Sequence, residues 1–276
     1  MRLALCNEVV RELTFEAQCA LAAKVGYDGL EIAPFTLGAE PHRLPATTIA
    51  ATRRAAADEG IAISGLHWLL LAPNGLSITS PDADVWQRTS AVIRALIGLC
   101  GELGGSYLVH GSPEQRALAG DEAEGRKRAL EIFAVAARAA EDAGVVYCLE
   151  ALSPELTNFV TSLEEAISIV SEIGSPAFRT MIDCAAAGAS ESEDIPTLLA
   201  RHLPAGMIRH IHFNDPNRRG PGEGALNFAP IVGALCALRY EGWIGVEPFV
   251  YEPDGRSCAA RAAGYVRGLE EAITRD

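Results

Sequence analysis

Short apolar runs alternate with longer amphipathic segments along this chain, and the alternation repeats eight times. The runs are Leu3–Cys6, Gly29–Ala33, Ile61–His67, Ser106–His110, Val145–Glu150, Arg179–Asp183, Ile208–Asn214 and Trp243–Glu247. Helical patterns lie near 14–25, 47–59, 82–103, 122–143, 162–173, 194–202, 228–239 and 257–272. In "KVGYDGLEI", "DEGIAISGL", "ELGGSYLVH", "EDAGVVYCLE" and "YEGWIGVE" a glycine stands between helix and strand, where a left-handed helix C-cap belongs. Thr14 before "FEAQ", and Ser162 before "LEEA" with Glu165 three residues on, mark helix starts. Strands alternating with helices specify parallel β-structure with helical crossovers. Eight such units in 276 residues predict an α/β fold, a closed (β/α)8 barrel. A doubly wound open sheet usually carries a glycine-rich loop after its first strand, and "LALCNEVVRELTFEA" has none. With no linker, low-complexity tract or internal repeat, residues 1–276 read as one barrel domain.

The formal net charge of -13 opposes the counterion release that drives binding to phosphate backbones. No nucleic-acid partner is expected. The seven cysteines are odd in number, lack CxxC spacing and sit mostly in apolar runs. That suits reduced, buried thiols and a cytoplasmic location. The opening "MRLALCNEVV" is too short an apolar run for a signal peptide. No stretch approaches the length of a membrane span, so no membrane partner is expected either.

The polar residues fall where a barrel places its chemistry. At the C-terminal ends of the expected strands stand Asn7, Glu31, His67, His110, Glu150, Asp183, His212 with Asn214, and Glu247. Barrel active sites lie at that face. "VVYCLEAL", "TMIDCAAAG" and "WIGVEPF" each commit a carboxylate to an apolar strand, which is costly unless it is paired or metal-bound. Three such acids and a histidine at one mouth call for a divalent cation held by Glu150, Asp183, His212 and Glu247. An oxygen-rich set favours Mn2+, Mg2+ or Co2+ over a structural Zn2+. His210 and Cys148 precede two of these residues by two positions, so they share their face one layer deeper. There they are expected to pack or to orient the ligands.

The stretches "CLEAL", "MIDCAAAG", "HIHFNDPNRRGPGEG", "GWIGVEPF" and "VHGSPEQR" resemble the xylose-isomerase-like superfamily of TIM barrels over nearly the whole chain. Within it, they are most similar to the sugar phosphate isomerase/epimerase group and its ketose 3-epimerases. The resemblance implies the same four ligands at the ends of strands five to eight, with Mn2+ as the first choice and Mg2+, Co2+ or Zn2+ as alternatives. It also implies a substrate-binding arginine six residues after the ligand histidine, here Arg218. Glu150 and Glu247 would then flank the reacting carbon of a ketose or keto-polyol. One would remove a proton and the other return it, through a metal-stabilised enediolate. The family places a substrate-binding histidine three residues after the ligand aspartate, and this chain has Ala186 there. His67 and His110, from strands three and four, are the expected substitutes, with Asn7 as a further substrate contact and Trp68 as an apolar wall. The resemblance also implies a homo-oligomer, dimer or tetramer, and leaves open whether a partner subunit supplies part of the site.

Two other chemistries share these residues. The same metal site serves lyases acting on a keto-sugar, keto-inositol or keto-acid by dehydration, decarboxylation or C-glycoside elimination. The apurinic-endonuclease branch uses three zinc ions, and His67, His110, Glu150, Asp183, His212 and Glu247 resemble part of its ligand set. That branch also needs a histidine after Asp183 and an Asp-x-His pair after His212, and both are missing.

Overall fold

The computed structural model describes residues 1–275. Eight parallel strands close into a barrel: β1 (Arg2–Cys6), β2 (Gly29–Ile32), β3 (Ala62–Leu66), β4 (Tyr107–His110), β5 (Val146–Glu150), β6 (Phe178–Asp183), β7 (Ile208–Phe213) and β8 (Trp243–Val246). Each pairs with its neighbour in sequence, and β8 returns to β1 with Leu3 opposite Ile244 and Leu5 opposite Val246. The expected fold class is what forms.

Nine α-helices surround the barrel among the described residues: α1 (Phe15–Val25), α2 (Ala46–Asp58), α3 (Ala83–Leu103), α4 (Glu122–Ala143), α5 (Leu163–Ile173), α6 (Cys184–Ser190), α7 (Ile195–His202), α8 (Phe228–Ala237) and α9 (Gly255–Arg275). Capping explains several boundaries. Thr14 accepts a hydrogen bond from the Ala17 N–H, and Gly26 ends α1 in the left-handed region at φ 96°. Ser162 caps α5 through the Glu165 N–H, while the Glu165 carboxylate reaches back to the Thr161 N–H. The helix absent from the sequence pattern is α6. Asp183 accepts from the Ala186 N–H at 2.7 Å and starts it directly at the end of β6.

Strand alternation divides the barrel. Outward residues such as Leu5, Leu30, Leu108, Leu149, Ile211 and Val246 pack under the helices in the main core. Inward residues Ala4, Tyr107, Val109, Cys148, Met181 and Trp243 form a separate apolar layer that fills the barrel floor. Above this floor the inward positions turn polar.

Candidate metal and proton-transfer site

Glu150 closes β5, Asp183 closes β6, His212 lies near the end of β7 and Glu247 follows β8. One ligand atom from each lies within 4.8 Å of the others, and all four residues are buried. His212 Nδ1 sits 2.9 Å from Glu247 Oε2 and 4.0 Å from Asp183 Oδ2, yet it makes no aligned hydrogen bond. A buried imidazole nitrogen without a hydrogen bond, aimed at three carboxylates, fits a divalent cation in chemistry and in direction. Oxygen donors in the majority fit Mn2+ or Mg2+.

Electrostatics makes the carboxylates unequal. Burial, with Asp183 and Glu247 close by, pushes Glu150 up to about 8. Burial and Glu247 raise Asp183 to about 6. Glu247 resists the upward push of burial because His212 and His67 pull it down to about 2. The two glutamates are thus pushed in opposite directions, Glu150 up and Glu247 down.

Other side chains hold this arrangement in place. His212 Nε2 lies 3.0 Å from Glu31 Oε1, which leaves Nδ1 facing the carboxylates. Glu31 also accepts from the Tyr107 hydroxyl at 2.7 Å. His210 Nε2 lies 3.1 Å from Glu31 Oε2, and its ring stacks on Tyr107. His210 thus stands one layer below His212, against the carboxylate that holds His212. Asn214 donates to Asp183 Oδ2 at 2.6 Å and accepts from the Ala185 N–H. Small residues give the cluster room. A Cβ at Gly111 would collide with the Glu150 carboxylate, and one at Gly245 with Glu31 and the His212 ring.

The rim is aromatic. Trp68, in the left-handed region at φ 51°, stands edge-on between Phe35 and Phe249, with ring centroids 5.5 and 5.9 Å away. Arg218 is exposed, has φ 68°, and lies over the Phe249 ring at 5.3 Å. Ala186 lines a small cleft with Ala151, Leu152 and Asp183.

Three of the expected substrate contacts meet other side chains of the protein. Both amide hydrogens of Asn7 are used, on Gln18 and Thr36, and its oxygen accepts from the Ala33 N–H. It ties β1 to the segment after β2 and has no free donor for a substrate. His110 belongs to the outward set of β4. Its Nδ1 lies 2.6 Å from the Tyr147 hydroxyl and its ring meets Phe133 of α4 edge-on. It points under the helices, away from the mouth. His67 does face inward, but both ring nitrogens are held at 2.9 Å, Nδ1 by Glu247 and Nε2 by Glu8. Cys148 packs in the apolar floor.

Sequence reading missed Glu8, which no strand pattern marks because it lies on the 3-10 turn Asn7–Val10. It named Glu31 without giving it a role. It also missed Arg116 within "VHGSPEQR". That side chain is fully buried and donates to the backbone carbonyls of Glu150, at 2.6 Å, and of His110. It clamps the ends of β4 and β5 together. Only its position in a motif that carries Gly111, Ser112 and Pro113 hinted at this.

The chain belongs to the xylose isomerase-like TIM barrel family, whose profile matches residues 19–272. Among curated proteins it is similar to a D-psicose 3-epimerase of Ruminiclostridium cellulolyticum. The two are 26% identical over 236 residues, which span 83% of this chain and 76% of that one. It is also similar to a putative hydroxypyruvate isomerase of Streptomyces coelicolor, 28% identical over 255 residues, 88% of this chain and 87% of the other. Among solved structures, an L-ribulose 3-epimerase superposes with a TM-score of 0.83 at 21% identity, covering 100% of this chain and 96% of that one.

Proposed function

We propose that this chain is a divalent-cation-dependent isomerase or epimerase of a ketose or keto-polyol, with Glu150 and Glu247 as its acid–base pair. The observation that carries the reading is the cluster itself: two buried glutamates, from the ends of β5 and β8, each with a ligand atom within 4.8 Å of those of Asp183 and His212. The relatives named as a D-psicose 3-epimerase and a putative hydroxypyruvate isomerase support the substrate class.

Glu150, Asp183, His212 and Glu247 are the residues that would hold the cation. When bound, it supplies positive charge beside the substrate's carbonyl and hydroxyl oxygens, where negative charge develops as a carbon-bound proton leaves. Glu247, kept ionised by His212 and His67, takes that proton from the carbon. Glu150 returns one from the other side. Returned to the opposite face of the same carbon, the proton gives an epimer. Returned to the adjacent carbon, with a hydroxyl proton moved, it gives an isomer. Arg218 at the rim binds the substrate's oxygens, and the Phe35, Trp68 and Phe249 rings keep water from its carbon backbone.

The test is solvent deuterium exchange into a panel of ketoses and keto-polyols, followed by NMR after chelation and after Mn2+ addition. Exchange should require Mn2+ and fall about 10²–10⁴-fold in Glu150→Gln and Glu247→Gln. Mn2+ binding without exchange in any of the panel would remove the proton-transfer reading. Exchange that survives both substitutions would remove the assigned pair.

A further inference from the structure

Glu247 and Glu150 differ in what stands behind them. Behind Glu247, which follows β8, stand two buried side chains from the segments just after β3 and β1. Glu8, on the turn after β1, approaches His67 Nε2 with Oε2 at 2.9 Å. His67, just beyond β3, approaches Glu247 Oε1 with Nδ1 at 2.9 Å. All three residues are buried. The other oxygen of Glu247, Oε2, is the one that faces His212 Nδ1. Among the described residues, neither carboxylate oxygen of Glu150 has a hydrogen bond or ion pair; only its backbone carbonyl is held, by Arg116.

Apolar side chains at both positions 8 and 67 would fill the same space at lower desolvation cost, because burying a carboxylate together with the ring it faces is expensive. Such a line is explained by what it fixes. An imidazole anchored at its far nitrogen by a carboxylate cannot rotate or flip, and it therefore presents its near nitrogen at one angle. With Oε1 of Glu247 occupied in this way, the plane of that carboxylate is set and one oxygen remains for the site.

We propose that Glu8 and His67 are positioning residues for Glu247: His67 occupies Oε1 and fixes the carboxylate plane, Glu8 fixes His67, and Oε2 alone is left to act. This rests on the reading of Glu247 as a site carboxylate. It replaces the expectation that His67 touches substrate, and it makes Glu8 a functional residue on an element that carries no other part of the site. It also separates the two glutamates by design, one held from behind and one free to move.

Two measurements test it. In the metal-free protein, proton–nitrogen spectra of the imidazole rings should show two protected N–H signals from His67, assigned by their loss in His67→Gln. Glu8→Gln should shift one and Glu247→Gln the other. Absence of the protected pair in the wild type, or signals unmoved by both substitutions, would overturn the proposal without reference to cation or catalysis. Second, Mn2+ affinity and exchange kinetics should be compared in His67→Ala, His67→Gln, Glu8→Gln and the Glu8→Gln, His67→Ala double variant. His67→Ala should lower Mn2+ affinity about 10–100-fold and reduce kcat with KM little changed. His67→Gln keeps a donor and should recover part of both losses. Glu8→Gln should add nothing in the His67→Ala background, because it acts only through the ring. Additive losses, or losses that track melting temperature equally in Ala and Gln variants, would overturn positioning. A wild type that binds no Mn2+ would instead remove the proposed function, and the ring signals would still decide the placement of His67.

Discussion

His67 and His110 look alike in sequence, each the last polar residue of an apolar strand, yet they end on opposite sides of the barrel wall. The difference is one step of strand alternation. Tyr107 and Val109 face inward, so His110 faces out. Burial, with Arg116 nearby, then holds its pKa well below the usual histidine range, and its bond to the Tyr147 hydroxyl is a core interaction. His110→Gln should therefore cost about 1–3 kcal/mol of stability, the penalty for disturbing a buried polar pair, and leave KM and Mn2+ affinity as they were. Denaturant melts and steady-state kinetics check this. A raised KM in a protein of normal stability would return His110 to the mouth.

At the scale of elements, the loop after β7 decides whether Arg218 reaches the rim. Asp215 is buried and organises the loop: its carboxylate accepts from the Asn217 and Leu226 N–H groups. The Arg218 carbonyl accepts from the N–H groups of Phe249 and Val250, which ties this loop to the one after β8. Glu223 pairs with Arg261 of α9 and closes the far side. Gly224 is required because a Cβ there would collide with the Asp215 carboxylate. Asp215→Ala should loosen the carrier of Arg218, raising KM about tenfold while Mn2+ affinity stays unchanged. Ligand-binding titrations of both would separate it from a general loss of structure, which would lower the two together. The sequence "NDPNRRGPGEG" announced a constrained loop through its glycines and prolines. It did not announce that the constraint comes from one buried aspartate.

For the whole molecule, the site makes stability depend on pH and on cation. Glu150 and Asp183 are raised from ordinary values of 4.5 and 3.8 to about 8 and about 6. Between those limits the folded state binds protons that the unfolded chain has released, so stability falls as pH rises. The raised imidazoles His67 and His212 act in the same direction, their contribution being full below about 6.5 and lost as pH climbs through their folded values. Glu247, lowered to about 2, contributes above 4.5 and loses that contribution only as pH falls toward 2. His110 and His210, which burial lowers, act in the opposite sense below about 6.5, so above that range the metal-free protein should melt at a higher temperature near about pH 7 than near about pH 8.5. Added Mn2+ should raise the melting temperature more at the higher pH, because protons compete with it for the same carboxylates. An equal gain at both pH values would place the cation elsewhere.

The barrel was legible in the chain because each β/α unit carries its own local signals: apolar runs, glycine C-caps and polar N-caps act within a few residues. The four clustered residues were legible for a related reason. A carboxylate at the end of an apolar strand is costly wherever the strand goes, and eight parallel strands bring their C-terminal ends to one mouth. Tertiary structure alone decided which strand-end residues face that mouth and which partners they meet. His110 turned outward, Asn7 was consumed by its neighbours, and Glu8 came from a turn with no pattern to mark it. The register between strands and the reach of side chains across the barrel set those contacts, and neither is encoded within a single β/α unit.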